Sequence, residues 1–190
     1  MKTLITPVMM AGLVLSAGCS DTKTDSTASQ STQGQSPAMV AAADPRAVRA
    51  GLEVISKGGT AIDAAIAVQS VLGLVEPQSS GIAGGAFLIY LDAESGDVTM
   101  YDGRETAPAA ATPKLFYGDG KRLPYIKGIA SGRSTGVPGA IAMLNLAHSD
   151  HGKLEWGSNF DAAIKLGDEG FVVTPALNRS ITRTAKYGLL

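Results

Sequence analysis

Residues 79–108 read SSGIAGGAFLIYLDAESGDVTMYDGRETAP, and the fold is decided here. Phe87 to Leu91 is an unbroken run of apolar, strand-forming residues, and Val98 to Tyr101 is a shorter partner. Glu94-Ser95-Gly96-Asp97 between them carries turn chemistry, so the pattern predicts a β-hairpin. Ahead of it, Gly81, Gly84 and Gly85 suit a turn in which another group approaches the backbone closely. Beyond it, Asp102-Gly103-Arg104-Glu105 continues directly from the second strand, and Pro108 stiffens the exit. A hairpin is a rigid base, so residues just past its second strand are held in one place. A guanidinium fixed in this way suits two-point recognition of a carboxylate, with the adjacent Glu105 orienting it. From spacing alone the pair Arg104-Glu105 reads first as a surface salt bridge at a strand end, because one such pair is a weak signal.

Upstream, Met39-Val40 reads as a short strand. Pro45 then suits a first helical turn, with Val48, Leu52 and Ile55 at helical spacing and Gly58 as the stop. Thr60 followed by Asp63 three residues later predicts a capping box at the start of a second helix, Ala61 to about Leu74, ended by Pro77. That helix is alanine-rich and apolar nearly all round, which predicts burial with close contacts to a sheet. Gly58-Gly59 is a helix-ending turn; the spacing and the lysine of a phosphate-binding loop are absent.

Downstream, Thr112-Pro113 predicts a short helix carrying Leu115 and Phe116, and residues 118–136 read as a polar loop that includes a solvated Lys121-Arg122. Pro138 opens a helix with Ile141, Leu144 and Ala147 on one face. A further helix directs Phe160, Ala163 and Ile164 inward and ends at Gly170, and Thr174-Pro175 caps a last one with Leu177 and Ile181. His148 and His151 lie near a helix end. With only Asp150 close in sequence they lack the partners of a metal site and read as a solvated C-terminus. No serine sits in a nucleophile-elbow sequence.

The 190 residues suffice for one domain with a core, and a net charge of −1 gives no bulk attraction to nucleic acid. The single cysteine, Cys19, excludes an intramolecular disulfide. Lys2, the mostly apolar Leu4 to Leu15 and the small residues Ser16-Ala17-Gly18 form an export signal too short to span a bilayer. Ending in Ala17-Gly18-Cys19, it resembles a bacterial lipobox, which implies lipidation of Cys19. Ser20 is not the aspartate associated with inner-membrane retention, so the expected location is the periplasm, on the outer membrane through the lipid anchor. Residues 20–37 are almost wholly small and polar and read as a disordered tether. The domain plan is therefore 1–19 signal and lipobox, 20–37 tether and 38–190 folded part.

Four motifs give the folded part a relative. Gly58-Gly59-Thr60-Ala61-Ile62-Asp63-Ala64-Ala65, Gly81-Ile82-Ala83-Gly84-Gly85-Ala86-Phe87, Asp102-Gly103-Arg104-Glu105-Thr106-Ala107-Pro108 and Gly136-Val137-Pro138-Gly139 occur in order. Together they resemble the N-terminal portion of the γ-glutamyltransferase (γ-glutamyltranspeptidase) family, from about Met39 onward. Ala83 and Ala86 interrupt what is usually a longer glycine run. The resemblance implies an α+β chain, part of the N-terminal-nucleophile hydrolase (αββα) fold, with helices packed on a β-hairpin. It implies an enzyme that transfers a γ-glutamyl group from glutathione or a related compound to water or an amino acceptor, with no cofactor and no metal. Arg104 matches the family arginine that grips the substrate α-carboxylate, with Glu105 in support.

The family's catalytic residue is a threonine freed by self-cleavage at the head of a small subunit from the same precursor. No threonine here matches that motif, and the chain reaches about a third of a family member's length. The expectation is a clamp without its nucleophile, inactive alone and exposing apolar faces of the hairpin and of the Ala61–Leu74 helix. Two other readings remain: a cephalosporin acylase-like amidase, whose dicarboxylate substrate Arg104 would also bind, and a vestigial lipid-tethered fragment without activity.

Overall fold

The computed structural model describes residues 38–188. The expected signal, Cys19 and tether lie outside them. Two helices come first: α1, Pro45–Ser56, and α2, Ala61–Val75. Asp44 caps α1 by accepting from the Arg46 backbone N–H, and Pro45 takes the first helical position. Gly58 turns the chain with φ of 85°. The capping box at α2 forms in full, since Thr60 Oγ1 accepts from Asp63 N and Asp63 Oδ2 accepts from Thr60 N.

The two helices pack on each other through small residues. The buried face of α1 is Ala47, Ala50, Gly51 and Val54, one position away from the expected Val48–Leu52–Ile55 stripe. Close approach explains the shift: a methyl group on Gly51 would lie 2.9 Å from Val68 and 3.0 Å from Val40. Bulkier residues are turned aside, and Leu52 is exposed. α2 is the central helix, contacted by α1, by the hairpin-bearing side and by the later helices, so it exposes no broad apolar face.

The expected hairpin is present as β1, Ala86–Leu91, and β2, Val98–Gly103, antiparallel with Ala86 opposite Gly103 and Leu91 opposite Val98. Alternation along a strand sends its two faces to different environments. Leu88, Tyr90 and Tyr101 turn toward Ile62, Ile66, Met143 and Leu144, while Phe87, Ile89, Leu91, Val98 and Met100 form an exposed apolar face. The expectation of an uncovered hairpin face therefore holds, unlike that for the helix.

A helix α4, Ala140–His151, lies under the hairpin, burying Ala140, Met143, Leu144 and Ala147. Its last turn latches the strands: Tyr101 donates its hydroxyl to Asp150 Oδ2 at 2.8 Å, and the His151 ring stacks on Tyr90 with centroids 4.0 Å apart. His151 is thus partnered, and so is His148, whose ring Nε2 lies 3.0 Å from the Leu154 carbonyl, so the two are not a solvated helix end. A 3-10 turn, Trp156–Phe160, leads into α5, Asp161–Glu169, and Thr174 caps α6, Pro175–Ala185. Phe160 and Ala163 pack inward as expected, whereas Ile164 and Ile181 face solvent. Arg46 ties the return segment to α1, pairing with Asp44 Oδ2 at 2.6 Å, donating to the Val172 carbonyl and lying 4.9 Å from the Phe171 ring centroid.

Other expectations change. Met39-Val40 forms no strand, because no partner strand lies beside it among the described residues. Thr112-Pro113 opens a turn that ends within a few residues, because Tyr117 and Gly118 are drawn into pairing with Arg122 and Lys121. The supposed loop 118–136 thus contains a two-residue ladder, β3, Tyr117–Gly118, and β4, Lys121–Arg122. A short helix α3, Tyr125–Ile129, and a 3-10 turn, Gly132–Ser134, come next.

Candidate functional site

Three of the four sequence motifs converge at the end of the hairpin. The Gly84 carbonyl accepts from the backbone N–H groups of Gly139 and Ala140, at 3.2 and 3.1 Å, which ties the glycine turn to the start of α4. Val137 N donates to the Thr106 carbonyl at 2.9 Å in an isolated bridge. Glycines make these approaches possible. A side chain on Gly103 would lie 2.6 Å from Met143 Cβ, and one on Gly136 would lie 2.8 Å from Glu105 Cβ. Glu105 is thereby held between two glycines: on the other side, a methyl group on Gly85 would sit 2.7 Å from Glu105 Cδ and 2.8 Å from its backbone nitrogen.

Arg104 leaves β2 with its backbone fixed, since Arg104 N donates to Asp102 Oδ1 at 2.8 Å. Its Nη1 lies 3.1 Å from Glu105 Oε2, with the arginine side chain 67% exposed and the glutamate 31%. Glu105 Oε2 is itself shielded from solvent and makes no directed hydrogen bond, so the contact is one of charge. This leaves the rest of the planar guanidinium for a ligand, and its fork matches a carboxylate. Sequence pairing of Arg104 with Glu105 is therefore realised in space.

Glu105 stands between two clefts. One, of about 290 Å³, is lined by Arg104, Glu105, Thr106, Arg133, Ser134 and Thr135. The other, of about 400 Å³, is lined by Gln69, Ser80, Gly81, Gly84, Gly85 and Glu105. The sequence reading missed Arg133, a second guanidinium on the first cleft. Its Nη1 donates to the carbonyls of Leu115 and Tyr117, at 3.1 and 2.6 Å, and so fixes the cleft's far wall. Only its place in the Gly136-Val137-Pro138-Gly139 run-up could have drawn attention to it.

The fourth motif serves the frame. Asp63 is fully buried, and its Oδ2 accepts from Thr60 N and Oγ1, Lys153 N and Leu154 N, at 2.8, 3.0, 3.0 and 3.3 Å. Burial alone would push its carboxyl up, but these hydrogen bonds outweigh that and hold it below the ordinary carboxylate range. No group of three or more His, Cys, Asp or Glu residues that could hold a metal occurs among the described residues.

The profile of one protein family, Gamma-glutamyltranspeptidase, matches residues 47–188. Over 145 residues, 76% of the chain, the sequence is 40% identical to the glutathione hydrolase proenzyme of Bacillus subtilis (strain 168), of which it covers 25%. The chain thus spans about a quarter of the length of the curated relatives it matches. Among solved structures, gamma-glutamyltranspeptidase from Pseudomonas nitroreducens, complexed with L-DON, superposes with a TM-score of 0.74 at 29% identity, over 80% of this chain and 45% of that one. Cephalosporin acylase from Bacillus halodurans superposes with a TM-score of 0.63 at 31% identity, over 75% of this chain and 27% of that one.

Proposed function

The chain belongs to the gamma-glutamyltranspeptidase family, and on that premise we propose that it supplies the carboxylate-gripping part of a γ-glutamyl-transferring enzyme. Its helices packed on a β-hairpin are part of the N-terminal-nucleophile hydrolase fold. In this reading the donor is glutathione or a related γ-glutamyl compound, and water or an amine accepts the group. Arg104 pairs with the donor's α-carboxylate through two parallel N–H···O bonds, and Glu105 holds one guanidinium nitrogen so that the fork faces the cleft. Neither makes or breaks a bond; each fixes where the γ-carbonyl lies. The attacking threonine, its amine acting as base, comes from a small subunit outside these 190 residues, so this chain alone turns nothing over. The observation that carries the reading is the exposed Arg104 side chain at the mouth of the cleft, with a fixed backbone and Glu105 beside it.

The anchor belongs to the same proposal. Lipidated Cys19 and the 20–37 tether would hold the folded part off the outer membrane, in the periplasm. The acylase superposition favours a second reading, an amidase whose dicarboxylate side chain meets Arg104. The test uses the protein from the full reading frame that contains this chain, supplied in turn with a γ-glutamyl anilide and a glutaryl anilide. The two substrates share the distal carboxylate, and only the first carries an α-amino group. Preference for the γ-glutamyl compound supports the first reading; preference for the glutaryl one moves the assignment to the acylase.

A further inference from the structure

A larger cavity adjoins the Arg104 cleft. It is an open depression of about 540 Å³, built by Phe116 and the β3-to-α3 segment that the sequence presents as a polar loop. Phe116, Leu123, Tyr125 and Ile129 give it apolar walls, and Arg122 is its one charged lining residue. Phe116 and Ser134 line both this cavity and the Arg104 cleft, so the two are neighbours that share these residues as a wall. The walls are set by the backbone: Leu123 N donates to the Phe116 carbonyl at 2.8 Å, and Gly128 is small enough for the Phe116 ring to rest on α3, a methyl group there lying 3.4 Å from it. Arg122 is exposed and has no carboxylate partner among the described residues, where the ion pairs engage Arg46, Lys57, Arg104 and His148.

We propose that this cavity is the subsite for the residue on the far side of the γ-glutamyl amide, taking an apolar or aromatic side chain whose free carboxylate pairs with Arg122. The inference rests on the reading of Arg104 as the grip on the γ-glutamyl end, and extends it to the other half of the substrate. A ligand held by Arg104 and running along the first cleft toward Phe116 would bring its next residue to the aromatic and aliphatic walls of this neighbouring space. A volume of this size falls within the range of small-molecule sites, and apolar walls with one placed charge are the usual way such sites select. The fork of Arg122 supplies the charge complement to a terminal carboxylate. A γ-glutamyl dipeptide with a large apolar second residue satisfies both guanidinium groups and fills the apolar space between them.

The test compares three donors with the enzyme from the full reading frame: γ-glutamyl-phenylalanine, γ-glutamyl-phenylalaninamide and γ-glutamyl-glycine. The wild type should favour the phenylalanine over the glycine donor by about tenfold or more in kcat/KM, the discrimination an apolar pocket provides. Gly128→Met places a side chain in the cavity and should bring that ratio near unity. Arg122→Gln, a change at an exposed position, should lower the ratio of the phenylalanine donor to its amide several-fold. A wild type without preference, as when another part of the enzyme fills the cavity, overturns the subsite. So do variants that keep the wild-type ratios. Arg104→Ala separates this from the underlying reading: if it slows all three donors while the ratios ignore Arg122 and Gly128, the subsite alone falls. If it slows none, both fall.

Discussion

Nε2 of His148 lies 3.3 Å from Oδ1 of Asp63 and 3.0 Å from the Leu154 carbonyl, so both of its neighbours are acceptors. That nitrogen must therefore carry the hydrogen. The contact joins the start of α2 to the end of α4. Asn159 adds a donor to the same Oδ1 at 3.3 Å, and the His148 ring meets Trp156 edge to face. One buried carboxylate thus organises the turn before α2, the last turn of α4 and the segment 153–159.

The first prediction rests on that convergence. Asp63→Ala leaves several donors buried without an acceptor and should cost about 3 kcal/mol or more at neutral pH; Asp63→Asn, which keeps one acceptor, should cost less. Chemical unfolding of the folded protein checks both. Burial by itself would raise the Asp63 carboxyl, and the donors lower it on balance. Its contribution is therefore fully present above the unfolded aspartate value of about 3.9 and lost as pH falls through the lower folded one. Asp44, held low by its hydrogen bonds to Arg46 against the effect of burial, acts in the same direction. Stability should fall steeply below about pH 4, and Asp63→Asn should flatten that acid limb. An unchanged limb would show that Asp63 is not the titrating group.

Local chemistry made much of this frame legible. The Thr60–Asp63 capping box, Pro45, Thr174-Pro175 and the hairpin turn each act over a few residues, so sequence spacing reveals them. The rest of Asp63's role was hidden, because Lys153, Leu154 and Asn159 stand 90 or more positions away. The α1 face was misread for a similar reason: hydropathy favours Leu52, but closeness to α2 favours Ala47, Ala50 and Gly51. In the candidate site, Arg104 and Glu105 were readable as neighbours in sequence. The partnership of Glu105 with Gly85 and Gly136, and the placing of Arg133, depend on how three separate motifs close on one another.

Gly85 gives the second prediction. Gly85→Ala puts a methyl group where Glu105 now lies, and the conflict includes the Glu105 backbone nitrogen, which cannot swing away. The overlap should cost about 1–3 kcal/mol and displace the Glu105 carboxylate from Arg104. The melting temperature and kcat/KM of the enzyme should fall together. A variant with wild-type values of both would mean the turn relaxes freely.

The exposed side of the hairpin gives the third. Ile89 and Met100 face each other in register, 72% and 63% exposed. A contiguous apolar face of this kind promotes association. The chain on its own should bind a hydrophobic dye and sediment as larger species, and Ile89→Lys with Met100→Glu should restore most of it to monomer. A monomeric wild-type chain in sedimentation velocity would refute this.

Export gives the fourth. If Cys19 carries the anchor, Cys19→Ala should abolish incorporation of labelled fatty acid and shift the protein from the membrane fraction to the soluble one. Unchanged labelling would remove the anchor from the proposal.

The last prediction separates a fork from a charge. Arg104→Lys keeps a positive group at the cleft but cannot form two parallel bonds to one carboxylate. It also loses the planar edge that now lies 3.1 Å from Glu105 Oε2, so its ammonium is drawn toward that glutamate. A charged contact to a substrate carboxylate in a partly desolvated site is worth about 2–4 kcal/mol on truncation. Arg104→Ala should therefore lower kcat/KM for a γ-glutamyl donor by roughly two orders of magnitude, with folding and self-cleavage intact, and Arg104→Lys should recover only part of it. Adding a donor that lacks the α-carboxylate completes the cycle, because the loss should vanish there. Equal losses for both donors would make Arg104 a structural salt bridge with Glu105, and wild-type kcat/KM in Arg104→Ala would exclude the clamp altogether.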